Sequence, residues 1–167
     1  MSYPLTSKTL NPSIIFVKKG DILHRTGDLK TKAYQVKKGL LRSYTIDAKG
    51  KEHIFMFAPE GWIVADNNSP YEPSELFIDV LEDAEIIPIE KDLVKNPPET
   101  LGLVKRIQVL QKRIIMLMSA SALERYEHFV ATYPQILQRV PQRMIASYLG
   151  ITPEALSKVK NEHLRKS

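Results

Sequence analysis

One glycine near the C-terminal end constrains this chain more than any other residue. Gly150 interrupts Gln142-Arg-Met-Ile-Ala-Ser-Tyr-Leu-Gly-Ile-Thr-Pro-Glu-Ala-Leu-Ser-Lys-Val-Lys-Asn161. It falls where a helix must end in a left-handed conformation that glycine adopts at little cost. Before it, Ile145, Ala146 and Leu149 give one helix an apolar face, with a small residue where a second helix approaches. After it, Ile151 plugs the turn, Thr152 offers a capping hydroxyl, and Pro153 and Glu154 suit a helix's first turn. Leu156 and Val159 face inward on the second helix. Thr152, Glu154, Ser157, Lys158 and Asn161 are left pointing outward. Two short helices with a glycine turn and a polar outer face on the second are the geometry of a DNA-reading helix-turn-helix. An ordinary helical hairpin is the competing reading.

Charge agrees with that placement. The net charge is +5, but residues 59–99 carry 11 acidic and 2 basic side chains, while residues 139–167 carry 6 basic and 2 acidic. Residues 1–58 carry 11 basic and 4 acidic, and residues 100–138 carry 5 and 2. An acidic middle is unsuited to a polyanion; the basic C-terminal segment is suited to one. No cysteine occurs, which excludes disulfides, iron–sulfur clusters and thiolate zinc sites. No apolar run is long enough to span a membrane, and the N-terminus lacks the apolar stretch of a signal peptide. A cytoplasmic protein with no membrane partner and no cofactor is expected.

The first half reads as strands: Ile14–Val17, Ile22–Leu23, Ala33–Val36, Leu40–Ile46, Glu52–Phe57, Trp62–Ala65, Leu76–Leu81 and Glu85–Ile89. Asp47-Ala-Lys-Gly50 makes a good hairpin turn, and residues 67–73 form a polar loop with two prolines. Many short strands at this spacing suggest a sandwich or jelly roll. Pro97-Pro98 then ends the strand-rich part, and Glu99-Thr100 can start a helix. Leu103, Ile107, Leu110, Ile114 and Leu117 recur at spacings of 4, 3, 4 and 3, a coiled-coil seam on a helix of roughly 30 Å. A parallel homodimer through that seam is expected; a single amphipathic core helix is the alternative. Ser119-Ala-Ser-Ala122 reads as a hinge. Leu123 to Tyr133 reads as a further amphipathic helix with Tyr126, Phe129 and Val130 inward.

Val17-Lys-Lys-Gly-Asp-Ile-Leu23, Gln35-Val-Lys-Lys-Gly-Leu-Leu-Arg-Ser-Tyr44 and Gly50-Lys-Glu-His-Ile-Phe-Met-Phe-Ala-Pro-Glu-Gly-Trp62 resemble the sensor domain of the Crp/Fnr family, with glycines 20, 27, 39, 50 and 61 at its turns. With the C-terminal motif, the resemblance covers nearly the whole chain. It implies an α+β protein: a cyclic-nucleotide-binding-like jelly roll (1–98), a dimerisation helix and hinge (99–122) and a helix-turn-helix domain (123–167). It implies double-stranded DNA and RNA polymerase as partners, with Glu154 and Lys158 on base-reading positions. Chemically, Glu accepts from a cytosine amine and Lys donates to guanine. Pro153 stands where many members carry an arginine for guanine, so their operator is not assumed here. Arg143, Lys160, Arg165 and Lys166 suit phosphates, which position without specifying. The sequence carries no β-hairpin wing after the reading helix, which reduces the expected backbone contacts. A ligand-sensing or protein-interaction module that does not bind DNA is the competing class.

The ligand cassette departs from the family. Its cradle uses an acidic residue for a ribose hydroxyl and an Arg followed by Ser or Thr for a cyclic phosphate. By alignment the acidic position falls on Asp66, which its loop setting suggests is a surface acid. The Arg position falls on Ser74 and the hydroxyl position on Glu75, and residues 59–90 contain no arginine. A phosphate deprived of its bidentate partner loses about 3–5 kcal/mol, so cyclic AMP is not expected to bind with regulatory affinity. The sequence does not identify another effector, although Phe55, Phe57, Trp62 and Phe77 are candidates to line a cavity. A metal-dependent jelly-roll enzyme would need clustered histidines, and His24, His53, His128 and His163 are isolated in sequence. No catalytic residue or metal ligand is assigned.

Overall fold

The computed structural model describes residues 13–92 and 100–166, with side chains at all of these except 101–103, 105, 106 and 166. The expected boundary at Pro97–Glu99, the side chain of Leu103 and that of Lys166 lie outside that range. The described residues form an antiparallel sheet followed by four helices, an α+β arrangement. The strands are β1 (Ile15–Val17), β2 (Ile22–His24), β3 (Ala33–Ile46), β4 (Glu52–Ala58), β5 (Ile63–Val64) and β6 (Phe77–Ile89). The helices are α1 (Thr100–Ser119), α2 (Ala122–Thr132), α3 (Gln142–Leu149) and α4 (Pro153–Lys166), with a 3-10 turn at Ile136–Gln138.

Two strand pairs expected from sequence are single long strands. Ala33–Val36 and Leu40–Ile46 join into β3, and Leu76–Leu81 and Glu85–Ile89 join into β6. The two run antiparallel from Ala33 opposite Ile89 to Tyr44 opposite Phe77. Their register shifts three times between Val36 and Leu41, so a bend absorbs the residues read as a turn. Gly39 sits at that bend with φ near +93°, and an added Cβ would lie 2.5 Å from the Asp83 carbonyl oxygen. Both its backbone conformation and the close approach of β6 demand glycine. Around the β3–β6 pair, β4 and β5 add to β3, and β1 and β2 add to β6.

β3 is buried on both faces from Gly39 to Tyr44, which a sheet with one wet face would not show. One face, with Val36, Leu41, Met56, Ile78, Val80 and Ile86, packs on itself within the strand-rich half. The other, with Leu40, Tyr44, Ile54 and Phe57, shares a core with Tyr126, Phe129, Tyr133, Ile145, Tyr148 and Leu149 of the helices. The strand-rich and helical parts are therefore sealed by one continuous hydrophobic core. Phe57 is its pivot, with ring centroids 5.8 to 6.2 Å from Phe129, Tyr133 and Tyr148.

α1 spans the residues expected of it, and the helix breaks only at Ala120 and Ser121. Ser121 caps α2 in a reciprocal box: its hydroxyl accepts from the Glu124 amide and the Glu124 carboxylate accepts from the Ser121 amide. Arg125 then ties three carbonyl groups together, donating to Leu117 at the end of α1, Ala120 at the break and Leu149 at the end of α3. Among the described residues no helix is long and apolar enough to cross a membrane.

Candidate nucleic-acid interface and sensor loop

α3 and α4 meet in the turn that Gly150 was expected to make. Gly150 takes φ 66° and ψ 31°, its amide donates to Ser147, and the Ile151 amide donates to Ala146. These two bonds satisfy carbonyls that a helix end otherwise leaves unpaired. Thr152 caps α4 by accepting from the Ala155 amide at 3.2 Å. Leu156 is fully buried and Val159 nearly so, which turns the opposite side of α4 outward. Thr152, Glu154, Ser157, Lys158 and Asn161 are all exposed, and Lys160 is half-buried. The Glu154 carboxyl is held below its usual range by its own backbone amide and by the Thr152 hydroxyl. It stays ionised at the positive end of α4.

Arg143 is exposed near the start of α3. With Lys51 and Glu52 of the β3–β4 hairpin and with Thr152 and Pro153, it lines a groove of about 300 Å³. The hairpin is pinned there, because the Ser147 hydroxyl accepts from the Ile54 amide at 3.0 Å and donates to the Glu52 carbonyl at 2.8 Å. Arg139 adds a second fastening, with bidentate pairs to both Glu60 and Glu82. Arg113 on α1 donates to the carbonyls of Phe55 and Ile54 and lays its guanidinium 4.0 Å from the centre of the Tyr148 ring. Sequence reading missed Arg113, Arg139, Tyr133 and Ser147 as joints. For Tyr133 the signal was the run of aromatic residues at 126, 129, 133 and 148, too many for a small helical unit to bury alone; Arg113, Arg139 and Ser147 bond carbonyls, an amide and carboxylates far away in sequence, which leave no local signal.

On α1, Ile107 and Ile114 are exposed, whereas Leu110 and Leu117 are half-buried. Val104, Ile115 and Met118 are also exposed, so an apolar stripe runs along the helix away from the sheet. Val130 is half-buried beside the fully buried Phe129.

The loop of Asp66, Ser74 and Glu75 is closed on itself. Asp66 is 3% exposed, so the surface acid expected from sequence is instead a buried one. Its carboxylate accepts from the amides of Asn68, Glu75 and Leu76 and from the Ser74 hydroxyl, at 2.6 to 3.0 Å. The sequence hid this because the donors are backbone amides, which any residue supplies. Burial pushes the Asp66 carboxyl up, but the four donors outweigh it and leave it below its usual range. Ser74 is buried, and its hydroxyl donates to Asp66 at 2.8 Å with the Leu76 carbonyl oxygen 2.9 Å away. The Glu75 side chain is exposed. Of the candidate cavity aromatics, Phe55 and Trp62 line a cavity beside α1, Phe57 is core, and Phe77 stacks on Tyr44 at 5.2 Å. The four histidines lie apart: His24 is buried beside Tyr34, His53 bonds Asp47, His128 lies by Thr132 and His163 faces Tyr126.

No family model matches the sequence. Curated relatives named anaerobic regulatory protein, from Aggregatibacter actinomycetemcomitans and Haemophilus influenzae, are each 25% identical over 163 residues, covering 86% of this chain. The chain spans 63% of the length of these relatives. Among solved structures, FixK2 from Bradyrhizobium japonicum superposes with a TM-score of 0.72 at 18% identity, covering 92% of this chain and 85% of that one. A CRP/FNR-family transcriptional regulator from Thermus thermophilus gives 0.67 at 18%, covering 93% and 87%. A mutant of CooA from Carboxydothermus hydrogenoformans gives 0.67 at 20%, covering 92% and 77%. The fold of this chain is the one those CRP/FNR-type regulators share.

Proposed function

We propose that the chain is a dimeric, sequence-specific DNA-binding transcription regulator of the Crp/Fnr type, built from a jelly-roll sensor, a dimerisation helix and a C-terminal helix-turn-helix. One observation carries the reading. The α3–Gly150–α4 turn is satisfied by its own backbone bonds, and it presents Thr152, Glu154, Ser157, Lys158 and Asn161 to solvent on one helix. Glu154 and Lys158 read bases, while Arg143 and Lys160 hold phosphates, with Lys51 of the hairpin beside Arg143. The similarity to regulators, in sequence and in fold, supports the same reading. By that likeness RNA polymerase is a partner. The apolar stripe of α1 supports pairing with a second copy, and two reading helices held in fixed relation recognise half-sites about one DNA turn apart.

Selection of bound sequences from random duplex DNA at physiological salt tests this. An enriched palindrome is expected, and no enrichment would overturn it. Lys158→Ala should then change the preferred sequence, whereas Arg143→Ala should weaken all sites and lower the salt slope by about one.

The effector is not cyclic AMP. Asp66, the residue at the ribose-binding position, already accepts four hydrogen bonds, and Ser74 stands in for the phosphate-binding arginine. Equilibrium titration should give no micromolar binding of cyclic AMP; micromolar binding would refute this part.

A further inference from the structure

The β3–β4 hairpin belongs to the strand-rich half of the chain, yet its tip lies against the helix pair. Lys51 and Glu52 share one groove with Arg143 and Ser147 of α3 and with Thr152 and Pro153 at the start of α4. In a helix-turn-helix the first helix crosses the sugar-phosphate backbone while the second enters the major groove. A duplex read by α4 therefore brings phosphates to Arg143, and the hairpin flanks that strand. The tip is held in place. The Asp47 carboxylate accepts from the amides of Lys49 at 2.8 Å and Lys51 at 3.0 Å, and the Gly50 amide donates to the Asp47 carbonyl. Ser147 fixes the hairpin to α3 through the Ile54 amide and the Glu52 carbonyl. Charge selects the partner. The Asp47 carboxylate also has His53 at 2.8 Å, and Glu52 is taken by Arg42 at 2.6 Å, a guanidinium that holds Asp79 as well. Lys49 and Lys51 are exposed, and among the described residues neither ammonium has an ion-pair partner. Two outward cations on a fixed turn, with the neighbouring acids already paired, suit an anionic backbone at small ordering cost.

We propose that the β3–β4 hairpin is a second DNA-contacting element, its Lys49 and Lys51 meeting backbone phosphates beside the one held by Arg143. The proposal rests on the DNA-binding reading above and extends it from the helices to the sheet. Phosphates carry no sequence information, so these lysines set affinity and leave the choice of sequence to α4.

Binding of the full chain to a duplex carrying the selected palindrome, and to a random-sequence duplex of equal length, would be measured between about 50 and 200 mM salt. Lys49→Ala combined with Lys51→Ala should lower the slope of log affinity against log salt by about two on both duplexes. The preferred sequence should stay that of the parent. Lys37→Ala combined with Lys38→Ala removes the same charge from exposed positions in the middle of β3, and should leave the slope unchanged. Circular dichroism identical to the parent confirms that each variant is folded. An unchanged slope in the hairpin variant, beside DNA binding by the parent, overturns the proposal and leaves the helix-turn-helix reading standing. A hairpin variant that binds DNA as the parent does but loses transcription by RNA polymerase assigns the lysines to a protein partner, and overturns it equally. The same loss of slope in the β3 variant reduces the effect to net charge and overturns the location. A changed preferred sequence in the hairpin variant overturns the phosphate assignment. A parent that binds neither duplex overturns this proposal together with the DNA-binding reading.

Discussion

Arg139 grips Glu82 through two nitrogens, Nε at 3.0 Å from one carboxylate oxygen and Nη2 at 2.7 Å from the other. The same guanidinium holds Glu60 at 2.9 and 3.0 Å. The link joins the acidic middle of the chain to its basic end, 57 and 79 residues away in sequence. Part of the charge asymmetry evident in the sequence is thus spent inside the molecule. The two carboxylates are held against the helices by an arginine rather than displayed as an acidic surface.

Arg139→Ala removes both pairs and leaves two partly exposed carboxylates facing each other. Because the carboxylates reach solvent, the loss should be about 2 kcal/mol rather than the larger cost of a fully buried pair. Chemical denaturation should report it as a lowered midpoint, and Arg139→Lys should recover less than half, since lysine cannot make either fork.

His24 gives the chain a pH dependence. Burial, and secondarily Lys91, lower its pKa from 6.5 to about 4. Its folded state binds fewer protons than the unfolded one, so its contribution is intact above about pH 6.5 and is lost progressively as pH falls toward 4. The loss should reach about 2–3 kcal/mol. His24→Phe, which keeps a ring against Tyr34, should flatten the stability curve between pH 6.5 and 4. A curve that keeps its slope in this variant would assign the effect to another group.

Gly39 and Gly150 both have positive φ, but alanine should not cost the same at each. At Gly150 the nearest atom to an added Cβ is Arg125 Nη1 at 3.7 Å, so only the backbone term remains, about 1 kcal/mol. At Gly39 the added Cβ meets backbone at 2.5 Å and the β3–β6 pair must open. Thermal melts should put Gly39→Ala several degrees below Gly150→Ala.

Ile107→Glu and Ile114→Glu are the clean probes of the proposed dimer, because both side chains are more than half exposed and serve no core in one protomer. Light scattering should show monomers that remain folded. Leu110 and Leu117 are poorer probes, since both also pack within the protomer. An unchanged dimer in both isoleucine variants would move the interface off this face of α1.

The helices of this protein were legible because their signals are local. Thr100 to Ser119 follows from apolar spacing, and the α3–α4 turn follows from Gly150, Thr152 and Pro153, residues whose conformational limits act within a few positions. The strands were legible as existing but not as joined. The register shifts between Val36 and Leu41 carry β3 through what looks like a turn, and only pairing with β6 distinguishes the two.

What the sequence by itself determined is the set of pieces: a strand-rich half, a long apolar-faced helix, and a glycine-hinged helix pair with Lys158 and Glu154 on its outer side. Only the tertiary structure decided how they close on one another. Asp66 became a buried acceptor because backbone amides of Asn68, Glu75 and Leu76 converge on it. Phe57, Tyr133 and Tyr148 became one core because β4 turns one face to the helices. The cavity beside Trp62 exists only where four elements fail to meet completely. Such features arise from residues far apart in the chain, and neither periodicity nor motif spacing records distance in space.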